Sequence, residues 1–215
     1  MPSFAGAAWT DMERNLPNAL TVSRVLVTPL VCVLIMLSTP TANWLALAAY
    51  LYACITDFLD GYLARSRHQQ SHFGRMLDPI ADKLLVASIL LILVAVDRLH
   101  GLNLIPAAVI LWREILVSGL REYLAELRVS VPVTQLAKWK TTLQLIAIGF
   151  LVVGDVLPLT NGFTATHVGI IGLWLAAALT VFTGYDYLRA SFRHLVGNSS
   201  RPPAPAANVD QPRQV

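Results

Sequence analysis

Charge is what this chain has least of. Only 13% of its 215 residues are Asp, Glu, Lys or Arg, while 55% are hydrophobic, and the mean hydropathy is +0.59. That balance excludes a soluble domain with a solvated surface and argues for a bundle of membrane helices. Cysteine is scarce too. Cys32 and Cys54 both sit in apolar runs, form no metal spacing and support no disulfide framework, so both read as buried thiols. Residues 1–19 have no apolar core of the kind a cleavable leader needs and carry Asp11, Glu13 and Arg14 instead, so no leader is expected. Phe4 and Trp9 suit either an interfacial segment or a loosely ordered terminus. No internal repeat stands out, which argues against the inverted-repeat architecture of many transporters. No nucleic-acid partner is expected.

What is present is apolar sequence in long windows. A membrane helix needs about 20 mostly apolar residues. Six windows qualify: 20–38, 42–63, 76–96, 104–126, 139–156 and 165–188. The expected fold class is therefore all-α, an integral membrane bundle of six transmembrane helices over residues 1–197. The remainder, "NSSRPPAPAANVDQPRQV" (198–215), is rich in Pro, Ala and polar residues and reads as a disordered tail. One set of connections carries Arg14, Arg65, Arg67, Arg75, Arg128, Lys138, Arg189 and Arg193, whereas the opposite set carries only Arg98. By the positive-inside rule both termini face the cytoplasm. Trp44, Trp112, Trp139 and Trp174 read as interface-belt or packing residues.

Against this background the stretch "DFLDGYLARSRHQQSHFGRMLDPIAD" (57–82) is costly, because it brings four carboxylates to the edge of hydrocarbon. Asp57 and Asp60 share a face of the second window, and Asp78 and Asp82 share a face of the third. The short connection predicts that these two helices are antiparallel neighbours, with the four acids converging. Such a cluster would repel itself and take up protons unless a cation joined it. A hard divalent ion suits all-oxygen ligands, so Mg²⁺, Mn²⁺ or Ca²⁺ fits the donor set. His68 and His72 read as solvated loop residues, with ligation a minor alternative. A competing reading neutralises the aspartates with Arg65, Arg67, Arg75 and Lys83, and pairing and metal binding are compatible. Intramembrane carboxylates also suit a divalent-cation transporter, although all four sit at one membrane end. Pro79 is expected in the first turn of the third helix.

The arrangement D-x-x-D-G-x-x-A-R-(x)8-G-x-x-x-D-x-x-x-D is present without a gap in Asp57, Asp60, Gly61, Ala64, Arg65, Gly74, Asp78 and Asp82. It resembles the signature of the CDP-alcohol phosphatidyltransferase family. The resemblance implies a six-helix membrane enzyme, often a homodimer, that joins a CDP-linked lipid to an alcohol and releases CMP. It implies that Asp57, Asp60 and Asp78 hold a divalent metal, Mg²⁺ or Mn²⁺, with Asp82 beside it as general base. It also implies that Gly61, Arg65 and Ser71 contact the cytidine diphosphate part. "NLPNALTVSRVLVTPL" (15–30), "REILVSGLREYLAE" (113–126) and "KWKTT" (138–142) are similar to bacterial members whose acceptor is sn-glycerol 3-phosphate. The implied reaction transfers the phosphatidyl group of CDP-diacylglycerol to that acceptor, with release of CMP, in the bilayer of the inner (cytoplasmic) membrane, with the site facing the cytoplasm. Inositol phosphate, serine and phosphatidylglycerol remain alternative acceptors.

An acceptor that carries a phosphate needs cations. Arg113, Arg121, Lys138 and Lys140 are the candidates, with Glu114 and Glu122 orienting or neutralising the arginines. Arg113 and Arg121 fall about 80° apart around an ideal helix. The alternative makes Lys138 and Lys140 ordinary positive-inside residues. Asn18, Thr21 and Arg24, at the start of the first window, suit the nucleotide or diphosphate pocket. Equally, Thr21 suits a helix cap and Arg24 an interface anchor.

Overall fold

The structure is a computed structural model. It describes residues 4–67, 72–126, 135–160 and 162–198, with side chains over 19–60, 77–124, 135–136, 138–160, 162–185 and 188. Six long helices follow one another: α1 (Phe4–Leu37), α2 (Pro40–Arg67), α3 (His72–Ala95), α4 (Leu104–Glu126), α5 (Gln135–Val153) and α6 (Ala165–Asn198). Five described stretches are long and apolar enough to cross a membrane: Ala19–Leu37, Pro40–Asp60, Gly101–Leu124, Lys138–Val156 and Ala165–Tyr185. They lie close to five of the six windows expected from hydropathy. The third helix is not among them, and Asp78, Asp82 and Lys83 fall within its described part. The fold is thus a helical, multi-span membrane bundle.

Short polar connections turn the chain. Ser38 ends α1 in the left-handed region, with φ of 50°. Thr39 Oγ1 then accepts from the Ala42 N–H at 3.3 Å as an N-cap, and Pro40 opens α2 where its missing N–H costs little. Between α5 and α6 Gly154 turns with φ of 65°. There the chain forms a small antiparallel pair, β1 (Pro158–Thr160) and β2 (Phe163–Thr164), which hydropathy did not foreshadow. Arg98, the lone basic residue expected on this face, turns inward. Its Nη1 donates to the carbonyls of Leu151 and Val152 at 3.1 and 2.5 Å, and its Nη2 donates to Asn43 Oδ1 at 2.8 Å. It thereby satisfies carbonyls at the C-terminal end of α5 and ties them to α2.

The core joins Val31 and Ile35 of α1, Ala46 and Tyr50 of α2, Ile89 and Leu93 of α3, Ile148 and Leu151 of α5 and Leu173 of α6. α5 and α6 pack closely. Gly169 and Gly172 leave room there for Leu151 and Ala147, as small residues do in membrane-helix interfaces. Leu26, Phe58, Leu91, Trp112 and Phe182 face outward, as a lipid-facing surface requires.

Two sequence expectations are corrected. α3 begins at His72, so Pro79 lies inside the helix rather than in its first turn and removes one internal hydrogen bond. Among the described residues, α2 and α3 pack mainly against α1 rather than against each other. The connection between them is short, but α1 lies against both carboxylate-bearing helices. Of the tail, residues 199–215 lie outside the described residues.

Candidate active site

The four aspartates come together through α1. Asp57 and Asp60 belong to α2, Asp78 and Asp82 to α3, and the helix facing both presents Thr21 and Arg24 one turn apart. Arg24 is fully buried. Its Nη1 lies 2.6 Å from Asp57 Oδ1 and also bonds Asp82 Oδ1, while its Nη2 bonds Asp60 Oδ2. Thr21 Oγ1 donates to Asp78 Oδ1 at 2.5 Å and lies 3.5 Å from Asp60 Oδ2. One guanidinium and one hydroxyl therefore touch all four carboxylates. Their exposure differs in a useful way. The Asp60 side chain is buried, whereas those of Asp57 and Asp82 are 43% and 51% exposed, so the cluster has a closed floor and an open mouth.

Convergence, as expected from the spacing, is present. Arg24 is a counter-ion that the competing sequence reading did not include. Lys83 does not pair with these aspartates; its Nζ donates to the Pro79 carbonyl at 2.9 Å. Asn18 falls on α1 and Gly61 and Arg65 on α2, but the side chains of Asn18, Arg65, Arg67 and Arg75 and the surroundings of Gly61 are not described. Ser71 lies outside the described residues altogether. Thr21 and Arg24 are neither cap nor interface anchor here, because both are buried against the carboxylates.

The donor set suits a hard divalent cation, being all oxygen with no soft ligand. A guanidinium with three carboxylates around it also marks a place where positive charge is favourable. Among the described residues, however, no three acidic, histidine or cysteine side chains are arranged about one point as ready ligands. Arg24 lies between the carboxylates instead. The residues fit a metal by chemistry, and Arg24 shares their charge.

A second polar region opens beside the first. Between α3 and α4 a cavity of about 480 Å³ is bounded by Asp78, Asp82, Lys83, Arg113, Arg121 and Glu122, among others. Arg113 and Arg121 thus reach the same space. Arg113 also packs over Gly184 of α6, where an added Cβ would sit 3.2 Å from its Cγ, and its Nη2 lies 3.4 Å from Thr183 Oγ1. Lys140 and Lys138 do not line this cavity. Lys140 is buried and its Nζ donates to Glu114 Oε1, while Glu114 Oε1 lies 3.8 Å from Arg113 Nη1. Lys138 stands exposed near the start of α5. Asp82 belongs to both regions: it touches Arg24 on one side and lines the Arg113–Arg121 cavity on the other.

Sequence reasoning missed Lys83 and Ser118 as members of this cavity and Gln144 as a buried polar group. Lys83 carried a signal, being adjacent to Asp82. Gln144 carried a weaker one, an amide inside an otherwise apolar window.

A sequence profile of the CDP-alcohol phosphatidyltransferase family matches residues 14–182. A Rickettsia prowazekii (strain Madrid E) protein named CDP-diacylglycerol--glycerol-3-phosphate 3-phosphatidyltransferase is 44% identical over 182 residues, covering 83% of this chain and 96% of that protein. Proteins of the same name from Cereibacter sphaeroides and Haemophilus influenzae are 39% and 36% identical. They cover 86% and 87% of this chain, and 98% of each relative.

Proposed function

The chain belongs to the CDP-alcohol phosphatidyltransferase family, and from that premise we propose that it transfers the phosphatidyl group of CDP-diacylglycerol to sn-glycerol 3-phosphate. The products are phosphatidylglycerol phosphate and CMP, a step of phospholipid biosynthesis. The names of its relatives support the substrates. The observation that carries the reading is the double membership of Asp82, which joins the carboxylate cluster to the cavity bounded by Arg113 and Arg121.

The roles follow from position. Members of the family generally use divalent metal ions, and Asp57, Asp60, Asp78 and Asp82 are the residues that would hold Mg²⁺ or Mn²⁺. When bound there, such an ion would supply positive charge to offset the negative charge of the diphosphate as CMP leaves. Asp82 takes the proton from the primary hydroxyl of the acceptor as it attacks the phosphorus attached to diacylglycerol. Arg113 and Arg121 hold the acceptor phosphate, for which guanidinium is well shaped. Glu114, braced by buried Lys140, orients Arg113, and Lys138 adds positive charge where α5 begins. Asn18, Gly61, Arg65 and Ser71 meet the cytidine diphosphate, Thr21 fixes Asp78, and Arg24 holds the carboxylates together.

In this reading α3 is the sixth membrane crossing, both termini and the active site face the cytoplasm, and the protein resides in the inner membrane as a homodimer. Residues 199–215 follow the membrane domain as a tail. The test is CMP release by the purified protein with CDP-diacylglycerol, with and without glycerol 3-phosphate and with Mg²⁺, Mn²⁺ or chelator. Release that needs both acceptor and metal supports the reading. Release with inositol phosphate, serine or phosphatidylglycerol in place of glycerol 3-phosphate moves it to another acceptor. Metal flux without CMP release replaces it by transport.

A further inference from the structure

A separate cavity of about 390 Å³ lies between α3, α4 and α5. Most of its wall is apolar, including Leu84, Leu111 and Leu145, and its polar members are Asp82, Lys83, Glu114, Thr141 and Gln144. Asp82, Lys83 and Glu114 also line the cavity that contains Arg113 and Arg121. The two spaces therefore meet at the proposed base.

Gln144 is 3% exposed, and its Oε1 has no hydrogen-bond partner among the described residues. Buried polar atoms are nearly always paired, so an exception calls for a ligand or a water. Among the described residues the fold gives this oxygen no internal partner. Gln144 stands one turn beyond Lys140 on the same face of α5, and Lys140 already answers Glu114. A leucine or methionine would fill the volume without leaving an orphan oxygen. Asp82 and Gln144 line the same cavity.

We infer that the Gln144 carboxamide recognises the secondary hydroxyl of the glycerol acceptor, the one that does not react. The inference rests on the proposed function and adds a specificity residue to it. The orphan atom is an acceptor and needs a donor. The ester carbonyls of diacylglycerol and ionised phosphate oxygens have no hydrogen to give. The nucleotide has donors, but it is assigned to the α1–α2 side, and among the described residues none of α1 or α2 lines this cavity. Glycerol 3-phosphate has two hydroxyls on adjacent carbons. With the primary one at Asp82 and the phosphate at Arg113 and Arg121, the secondary hydroxyl is the remaining donor. A hydroxyl both donates and accepts, so it satisfies either orientation of the amide.

The test compares glycerol 3-phosphate with 3-hydroxypropyl phosphate, the same acceptor without its secondary hydroxyl. Initial rates of CMP release are measured for the full-length protein and for Gln144→Leu and Gln144→Met. Wild type is expected to prefer glycerol 3-phosphate by about tenfold in kcat/KM, the value of one hydrogen bond to a buried group. Both variants are expected to lose that preference, through a fall with glycerol 3-phosphate alone. Equal use of the two acceptors by wild type overturns the inference even if neither variant folds. So does a preference that survives in the variants while their rates fall with both acceptors, which is what a purely structural glutamine or a bound water predicts. Absence of CMP release with either acceptor removes the proposed function as well, whereas equal release with both removes only the role of Gln144.

Discussion

Arg24 Nη1 lies 2.6 Å from Asp57 Oδ1, and the same nitrogen bonds Asp82 from another helix. One buried cation thus joins α1 to both carboxylate pairs. Replacing it leaves Asp60 buried beside a hole and Asp57 and Asp82 repelling each other. Breaking a buried ion pair costs about 3–5 kcal/mol; here the lower end applies, because Asp57 and Asp82 are half exposed and partly screened by solvent. Arg24→Ala should therefore lower the thermal midpoint of the detergent-solubilised protein. Mg²⁺ or Mn²⁺ should raise that midpoint more in the variant than in wild type, since an added cation supplies the missing charge. A midpoint equal to wild type in chelator would show that the guanidinium does not hold the cluster together.

Asp82 tests the chemistry rather than the fold. Its side chain is half exposed, so Asp82→Asn removes a charge and a proton acceptor without opening the core. General base catalysis is typically worth about 10²–10⁴-fold. The variant should remain monodisperse and melt near the wild-type temperature while its CMP release falls by at least about a hundredfold. Turnover close to wild type would move the base elsewhere.

Arg113 and Arg121 line one cavity, and an interaction with the acceptor phosphate should register on the acceptor. Each Arg→Ala substitution should raise the KM for glycerol 3-phosphate by about tenfold or more and leave that for CDP-diacylglycerol within about twofold. An unchanged acceptor KM removes that arginine from the phosphate site. Equal rises in both constants would indicate a general distortion of the bundle.

The spans and the carboxylate pairs were legible because each leaves a local trace, hydropathy in one case and spacing on a helix face in the other. Hydropathy placed five of the six windows close to the spans that length and composition support, and the spacing put Asp57 with Asp60 and Asp78 with Asp82. What escaped was tertiary. A short connection suggests that α2 and α3 touch, yet both carboxylate pairs meet Arg24 of α1, and no local pattern says which helix a guanidinium will face. Lys140 shows the same limit. Near the start of an apolar window it reads as a phosphate-binding or interfacial cation, but the lysine is buried with Glu114 of α4. The pair could be named only once α4 and α5 were placed side by side.

That pair makes its own prediction. Lys140→Met should destabilise the protein because Glu114 would keep its charge without the ammonium, and Glu114→Gln alone should strand the lysine. The double variant should recover much of the loss, since two neutral side chains leave no uncompensated charge. Thermal midpoints of the four proteins give the coupling, and strict additivity would mean that the contact carries no energy. Acceptor KM values measured alongside separate this brace from a direct contact with phosphate. A brace alters KM through Arg113, so Lys140→Met should have little further effect once Arg113 has been replaced.

Helix packing can be probed without touching the site. At Gly169 of α6 an added Cβ would meet Leu151 Cγ at 2.6 Å and the Ala147 carbonyl oxygen at 3.0 Å. The backbone oxygen cannot move aside as a flexible side chain can, so Gly169→Ala must push α5 and α6 apart. Overpacking of this kind costs about 1–3 kcal/mol. Gly119 of α4 is the control, because nothing lies within 4 Å of its added Cβ. There alanine only removes the conformational freedom of glycine, and a gain of up to about 1 kcal/mol is expected. The two substitutions add the same methyl group to the same kind of helix. Opposite shifts in thermal midpoint would therefore report the α5–α6 contact itself. A neutral Gly169→Ala would mean that these helices are not as close as the bundle requires.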